Sequence, residues 1–432
     1  MIKKKIKFFY EDNKFILNHS FFSILLSGLG MLLLLIQNIM VARFFGESTF
    51  GIFSFIINLF IILSIFSKFG LEDLLPREIP KLLESTSKLK GLYYFSISRT
   101  FIFTIITILL VYLFSIFYKR FNLEFKSIIF IIGFWFISRV LTELFSFFYQ
   151  SINKTISSRL IVSIIPPFFS IIAILINSYF NFFVFSLQLI FEIITLSYLI
   201  SFVLLVSLSN PFYIRDKLAP RFLIKKWMNS SVNFVILSSL FLFLSRINPL
   251  ILAIYYPMEY VGYYSAVVNI SFIISFGLNA TNKILAPKLS EYYNNNNMDL
   301  FQKNLTLTAR IGFFISILLF IPILMFPKYL LSIYGDNFSQ FSNILIILSF
   351  GHLINSFCGP VGLSMTMTGN EKIVGFCVFF ALLVNIILSF VLIPLFGPFG
   401  LAIANCIGII SWNVILVFYV KNRFNYKTTI LA

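Results

Sequence analysis

Long apolar stretches, each about as long as a membrane-spanning helix, make up most of the chain. A helix needs roughly 20 apolar residues to cross the hydrocarbon core of a bilayer. Twelve stretches meet this length, so the pattern predicts an all-α integral membrane protein with twelve transmembrane helices. The predicted spans are 18–42, 51–70, 93–117, 128–150, 160–180, 184–208, 229–255, 260–286, 306–326, 341–366, 373–394 and 400–420.

The segments between these spans are too short to bury a hydrophobic core of their own, so no soluble domain is expected. The division between the fifth and sixth spans rests on one turn, at residues 177–181. The apolar run that follows the basic N-terminus is too long for the core of a signal peptide. We therefore interpret that run as an uncleaved first span.

The two halves of the chain resemble each other at a fixed offset of 211 positions. The stretch 41–58 aligns without a gap on 252–269, and the matching pairs include Gly51 and Gly262, Asn58 and Asn269, Pro76 and Pro287, and Arg99 and Arg310. Such a repeat indicates two similar units. Each half holds six spans, so the chain returns to its starting side before the second half begins. The two halves therefore have the same orientation in the membrane and are related by an axis along the membrane normal. We therefore predict an N-terminal lobe at 1–208, a linker at 209–228 and a C-terminal lobe at 229–432.

Composition and charge support this architecture and set its orientation. Hydrophobic residues make up 59% of the chain and charged residues only 11%, compared with roughly 25% charged in a soluble domain. The net charge of +17 would suggest a nucleic-acid partner in a soluble protein. Here 22 Lys and Arg residues lie on the side of the N-terminus and only 5 on the other. The positive-inside rule therefore predicts cytoplasmic N- and C-termini and removes the reason to expect nucleic acid.

Charges inside the predicted spans are the most informative residues, since each costs about 2.5–3.5 kcal/mol at the centre of a membrane helix. Arg139 precedes Glu143 by four residues in the fourth span, so the two share a helix face and can pair. Glu192 lies near the middle of the sixth span. Glu143 and Glu192 are candidates either for coupling to a proton or another ion, or for ion pairs with neighbouring arginines.

Arg246 is the best candidate for binding an anionic substrate. It lies well inside the seventh span, has no acidic residue at helical spacing, and corresponds to Leu35 in the first half. Arg99 and Arg310 lie within about two turns of the predicted cytoplasmic surface. At that depth, substrate binding competes with extension of the side chain to the interface.

The predicted spans hold six basic residues against few acids. Two of the six, Lys68 and Lys283, lie nearest the predicted surface, so we expect both to extend to the interface. The remaining excess of arginine indicates a basic cavity suited to an anionic substrate. Arginine binds phosphate oxygens in pairs and stays charged at any working pH.

The sequence gives no indication of enzymatic chemistry. It lacks a nucleotide-binding Walker motif, and no nucleophile has a base at a recognisable spacing. His19 and His352 have no partner at metal-ligand spacing, and the three cysteines lie in apolar segments. We therefore expect no enzyme, no cofactor and no metal site. Two six-span lobes instead favour a transporter that exposes a midplane site to each side in turn.

Six segments have recognisable sequences: VARFFGESTFGIFSF at 41–55, SKFGLEDLLPREIPK at 67–81, NPLILAIYYPMEYVGYYSAVVNI at 248–270, APKLSEYY at 286–293, SMTMTGNEK at 364–372 and LIPLFGPFGLAIAN at 392–405. Together they resemble the polysaccharide-exporter branch of the MOP flippase superfamily. Each segment alone is loosely defined, but their order and spacing cover nearly the whole chain. The resemblance is to Wzx-type O-antigen flippases, which implies two six-helix lobes in a MOP/MATE-like fold.

The resemblance also implies a function. Such a flippase moves undecaprenyl-diphosphate-linked oligosaccharide repeat units across the bacterial inner membrane, for O-antigen, lipopolysaccharide or a related surface polysaccharide. Membrane lipids surround it, and the polysaccharide polymerase and glycosyltransferases of the same pathway are its expected partners. On this hypothesis Arg246, with Arg139, Arg99 and Arg310, holds the diphosphate while the lipid tail stays in the bilayer.

Other functional classes remain open at this stage. A multidrug or cation antiporter of the same superfamily would need acidic residues in the first lobe, but the first span, 18–42, has none. A lipid II flippase usually has fourteen spans, and a major-facilitator carrier would have a glycine-and-basic motif that the segment 72–90 lacks. A polysaccharide polymerase is the enzyme alternative. It would be expected to have a large periplasmic loop, whereas the predicted loops are short.

Overall fold

The computed structural model describes residues 2–117, 123–152, 154–208 and 219–431. Its regular structure is helical, and these ranges contain no strand. We number the membrane helices α1 Ile2–Phe45, α2 Glu47–Lys68, α3 Thr86–Phe117, α4 Leu123–Ser151, α5 Ile165–Phe180, α6 Leu187–Leu208, α7 Ile224–Tyr255, α8 Met258–Ser271 with Phe276–Asn294, α9 Met298–Met325, α10 Ser342–Cys358, α11 Glu371–Phe396 and α12 Pro398–Phe424. In α8, a 3-10 turn joins the two helical parts.

Within the described ranges, twelve helical stretches are long and apolar enough to cross a membrane. Each overlaps one of the twelve predicted spans, which confirms the prediction of an all-helical membrane protein. The turn between the fifth and sixth spans is also confirmed, because α5 ends at Phe180. There Asn177 Nδ2 donates to the Phe183 carbonyl at 3.0 Å, and Asn177 Oδ1 accepts from the Phe183 N–H at 2.9 Å. Residues 209–218 of the predicted linker lie outside the described residues.

A short amphipathic helix, Leu71–Leu82, follows α2 directly. Phe69 and Gly70 have positive φ angles of 50° and 69°, which end α2 and turn the chain. The buried side chains of the short helix recur at helical spacing, which is the pattern of a helix with one apolar face. These side chains are Leu71, Leu74, Leu75, Ile79 and Leu82, and they pack with Leu144 and Phe148 of α4. The short helix is thereby anchored on α4.

The predicted tenth span, 341–366, is wrong at its C-terminal end. α10 stops at Cys358, and helix resumes only at Val361–Met367. Gly359 has a φ of +71°, a conformation that favours glycine. Pro360 then lacks the N–H that would continue the helical hydrogen bonds. The Gly359–Pro360 dipeptide is a turn signal in the sequence, which the span prediction missed because it followed hydropathy alone.

Contacts between Cα atoms divide the chain into two compact units. The C-terminal unit comprises Met1–Ser20, Gly46–Leu59 and Leu240–Ala432, and the N-terminal unit comprises Phe21–Phe45 and Phe60–Ser239. The first part of α2 therefore groups with the second half of the chain. The predicted lobe boundaries stay predictions.

Within the C-terminal unit, the two copies of the repeated segment pack against each other through their glycines. A methyl group on Gly51 of α2 would overlap the backbone carbonyl of Met258, where α8 begins. A methyl group on Gly262 of α8 would lie 3.1 Å from the Glu47 carbonyl oxygen and from the Gly51 nitrogen. Small residues permit such close approach of membrane helices. The repeated glycines are therefore needed where α2 and α8 cross.

The Glu47 side chain holds the start of α2 at the same crossing. Its carboxylate accepts hydrogen bonds from the Tyr263 hydroxyl on α8 and from Asn337 Nδ2 at 3.2 Å. A carboxylate in the first turn of a helix also interacts favourably with the helix dipole. The crossing thus combines backbone contact with directed hydrogen bonds.

We expect Gly51→Ala to destabilise the protein by about 3 kcal/mol, because the added methyl group meets backbone that cannot move aside. Thermal unfolding of the purified protein in detergent measures this. Gly133→Ala in α4 is the matched control, since its methyl group would meet only side-chain atoms of Ile108, at 3.5 Å or more. The control should change stability by less than about 1 kcal/mol. If Gly51→Ala and Gly133→Ala were equally stable, the claim that a glycine is needed where α2 and α8 cross would be contradicted.

Candidate functional site

Four charged side chains form a chain of ion pairs inside the N-terminal unit. Lys68 Nζ lies 3.0 Å from Glu72 Oε2 and 3.3 Å from Glu143 Oε2. Arg139 Nε donates to Glu143 Oε1 at 3.0 Å. The predicted pairing of Arg139 with Glu143 is therefore confirmed. Two positive and two negative groups balance one another, which offsets the free energy of removing each from water.

The expectation that Lys68 extends to the interface is wrong. Lys68 is only 8% exposed and lies between two carboxylates. The turn at Phe69 and Gly70 explains this, because it brings Glu72 back within reach of the ammonium group. Lys283, the other lysine of this group, is exposed.

Arg246 lies on α7, within the C-terminal unit, nine residues before that helix ends at Tyr255. Its side chain is partly buried, and Nη1 donates to Asn58 Oδ1 on α2 at 3.4 Å. Asn58 is 6% exposed and is itself held by a bond from Nδ2 to the Ser54 carbonyl at 2.8 Å. Because the amide of Asn58 is neutral, this bond directs the guanidinium without cancelling its positive charge.

A second set of buried amides fixes α7 close to Arg246. Asn248, which is 1% exposed, accepts a hydrogen bond from Asn385 Nδ2 on α11 at 3.2 Å. Ser389 Oγ donates to the Asn385 carbonyl at 2.7 Å. Hydrogen bonds of this kind between membrane helices fix their rotation and register. Arg246 is therefore presented by a helix that is held in place.

Sequence reasoning missed Asn58 as the partner of Arg246. The two residues are 188 positions apart, so no helical spacing connects them. The repeat was the feature of the sequence that pointed to Asn58, since Asn58 and Asn269 are matching polar residues in otherwise apolar segments. That signal marked the position as unusual but did not identify its neighbour.

The remaining predicted site residues make local contacts. The Arg99 guanidinium lies 5.7 Å from the ring centroid of Phe95, one turn earlier on α3. Glu192 accepts a hydrogen bond from Gln188 Nε2, one turn earlier on α6, at 2.8 Å. Arg310 is exposed on α9 and donates Nε to a backbone carbonyl near the C-terminus at 3.3 Å. The roles predicted for these three residues stay predictions.

Among the described residues, no three His, Cys, Asp or Glu side chains form a group that could hold a metal ion. His352 is partly buried, and its Nδ1 lies 2.9 Å from Ser275 Oγ. Cys358, Cys377 and Cys406 are buried free thiols. These side chains fill positions between packed helices.

Comparison of the sequence with known proteins finds similarity to proteins of polysaccharide and glycan biosynthesis. Residues 16–293 match a family described as polysaccharide biosynthesis protein. A curated relative, the probable low-salt glycan biosynthesis flippase Agl15 of Haloferax volcanii, is 22% identical over 186 residues. The alignment covers 43% of this chain and 39% of the relative, so it spans well under half of that protein. The predicted resemblance to polysaccharide exporters is confirmed.

Solved transporter structures share the fold. A multidrug resistance MATE family transporter in an inward-facing conformation has a TM-score of 0.73 at 11% identity, covering 94% of this chain and 98% of that one. The lipid II flippase MurJ, inward closed, gives 0.65 at 16% identity, covering 94% and 87%. A MOP superfamily transporter from Pyrococcus furiosus gives 0.67 at 13% identity, covering 95% of each chain. At such identities the likeness establishes the fold alone, and it confirms the predicted MOP/MATE-like arrangement.

Replacing Glu143 with Gln removes the negative charge that Lys68 and Arg139 share. We expect Glu143→Gln to reduce the free energy of unfolding by about 3 kcal/mol, because the largely buried Arg139 loses its counter-ion and Lys68 keeps only Glu72. Glu192→Gln is the matched control inside another membrane helix, where the carboxylate bonds a neutral amide. The control should cost less than about 1 kcal/mol. Thermal unfolding in detergent measures both, and equal losses would rule out a stabilising charge balance.

Proposed function

The chain belongs to the polysaccharide biosynthesis protein family, and from this premise we propose that it is a flippase for lipid-linked oligosaccharides. Its substrate is an undecaprenyl-diphosphate-linked repeat unit of O-antigen or a related surface polysaccharide. The direction is from the cytoplasmic to the periplasmic leaflet of a bacterial inner membrane. The family match over residues 16–293 carries this proposal, and the twelve-helix membrane fold supports it.

We assign binding of the diphosphate to Arg246. A guanidinium group can bind two phosphate oxygens at once. The existing bond to Asn58 is long, at 3.4 Å, and its acceptor is neutral. A phosphate oxygen carries negative charge as well as accepting a hydrogen bond, so it attracts the guanidinium more strongly than the neutral amide oxygen does. In this account Asn58 keeps Arg246 oriented between transport cycles.

The negative charge of the substrate also bears on the driving force. Moving one charge across the membrane potential changes the free energy by about 2.3 kcal/mol per 100 mV. With an inside-negative potential, outward movement of a diphosphate is electrically favourable. Coupling to an ion through Glu143 or Glu192 would add to this driving force and is not required by it.

A multidrug or cation antiporter of the same superfamily is the alternative function. The similarity to a MATE transporter at 11% identity establishes the fold alone and is no evidence that this chain has the activity of that transporter. A cation site needs a carboxylate that is available, whereas Glu143 already faces Lys68 and Arg139. The antiporter alternative therefore depends on Glu192, whose partner is the neutral amide of Gln188.

The proposed location and partners follow from the proposed reaction. Both termini lie in the cytoplasm, as the asymmetry of Lys and Arg predicts. Glycosyltransferases on that side assemble the repeat unit, and a polysaccharide polymerase uses it on the other side.

Deletion of the gene should cause lipid-linked repeat units to accumulate facing the cytoplasm while surface polysaccharide falls. Unchanged polysaccharide together with new drug sensitivity would favour the antiporter.

Arg246→Ala should reduce export at least about tenfold, since a hydrogen bond to a charged group contributes about 1.5–3 kcal/mol. Arg246→Lys keeps the charge but loses the paired donors, so we expect an intermediate rate. Surface polysaccharide is measured in a deletion strain and normalised to membrane protein level. Arg423→Ala, at an exposed position near the end of α12, is the control. Full export by both Arg246 variants would exclude the assigned role.

Asn58→Asp tests the charge of Arg246 without changing the size of its partner. The new carboxylate would pair with the guanidinium and compete with the diphosphate, so export should fall about as far as in Arg246→Ala. Asn58→Ala removes this hydrogen-bond acceptor without adding a charge, and we expect export to stay within about threefold of wild type. If Asn58→Asp exported normally, the positive charge at Arg246 would not be what binds the substrate.

A further inference from the structure

Residues 426–430, which we call the strap, are docked on the start of α9. Gln302 of α9 makes two hydrogen bonds with the backbone of Lys427. Gln302 Nε2 donates to the Lys427 carbonyl, and Gln302 Oε1 accepts from the Lys427 N–H, both at 2.8 Å. Tyr426 and Thr428, on either side of Lys427, are 3% and 1% exposed. The strap is therefore held by a reciprocal side-chain contact and by burial of its flanking residues.

The strap also lies across the interruption at the end of α10. Its Ile430 N–H donates to the Phe357 carbonyl at 3.4 Å. The last carbonyls of a helix have no partner within the helix, so the strap supplies one. The Thr428 carbonyl approaches Gly359 so closely that a side chain at Gly359 would not fit. Arg310 donates to the Ile430 carbonyl and fixes the far end of the strap.

The linker makes an equivalent contact within the N-terminal unit. The Arg221 N–H donates to the Ser87 carbonyl on α3 at 2.9 Å, and the Arg221 carbonyl lies directly against Gly91. Gly91 and Gln302 are equivalent positions at the 211-residue offset of the repeat. In each half, the segment that leaves the sixth helix therefore crosses the third helix at the same place. In the first half the third helix contacts the crossing segment through its own backbone, and in the second half it does so through the Gln302 side chain.

We propose that the strap is a releasable clamp on the broken end of α10 and on the short helix Val361–Met367 that follows it. Gln302 and Arg310 are its positioning residues, which assigns Arg310 to the clamp instead of the substrate diphosphate. Since Gly359 and Pro360 interrupt α10, the segment beyond them can move separately once the strap leaves. Release begins at Gln302, because its bonds to Lys427 are exposed and water can replace them. This inference does not depend on the proposed transport function.

Cys358, the last residue of α10, provides a direct measurement of strap release. It is 4% exposed while the strap is docked, and the strap contacts both of its neighbours, Phe357 and Gly359. The full-length protein in detergent is treated with a maleimide, and peptide mass spectrometry gives the labelling rate of each cysteine. In the Gln302→Ala variant, we expect the maleimide to label Cys358 at least about fivefold faster than in the wild type, because the strap opens more often.

Asn304→Ala is the matched control on the same helix. Its amide also donates one hydrogen bond, but to the Leu300 carbonyl within α9, so Cys358 should label at the wild-type rate. Gln302→Glu keeps the acceptor for the Lys427 N–H and loses the donor, so an intermediate rate is expected. Equal Cys358 rates in Gln302→Ala and Asn304→Ala would overturn the proposal. Equal acceleration of Cys377 and Cys406 would also overturn it, since Gln302 would then support the whole unit and not the strap.

Discussion

The contact between the backbones of α2 and α8, at Gly51 and Met258, is the constraint on which the C-terminal unit depends. Lipid offers no hydrophobic driving force for helix association, so close packing and hydrogen bonds must supply it. The glycine crossing provides the packing, and Glu47 with Tyr263 and Asn337 provides hydrogen bonds beside it. Asn58, two turns farther along α2, reaches Arg246 from the same crossing. The position of the candidate anion-binding residue thus follows from a contact between the two copies of the repeat.

The charged side chains of the two units have different kinds of partner. In the N-terminal unit, Lys68, Glu72, Arg139 and Glu143 neutralise one another, which makes them a stabilising group. In the C-terminal unit, the Arg246 guanidinium donates a hydrogen bond to the neutral amide of Asn58. Helical spacing in the sequence predicts the pairing of Arg139 with Glu143, whereas the contact between Arg246 and Asn58 joins two different helices.

The repeat also explains the contrast between the linker and the strap. Both segments leave the sixth helix of their half and cross its third helix at equivalent positions, Gly91 and Gln302. The linker contacts α3 through the backbone of Arg221. The strap follows the last helix and is held by hydrogen bonds from side chains. Duplication therefore preserved the path of the chain while the chemistry of the contact changed.

The sequence by itself determined the twelve spans, the repeat, the glycine pairs and the family, because these depend on local hydropathy and on residue identity at fixed offsets. It also predicted the pairing of Arg139 with Glu143, since four residues make one helical turn. Only the tertiary structure decided that Lys68 is buried and that Asn58 meets Arg246. Each of these depends on a backbone turn or on packing between residues far apart in the chain. Hydropathy and helical spacing describe one helix at a time, so they carry no information about such contacts.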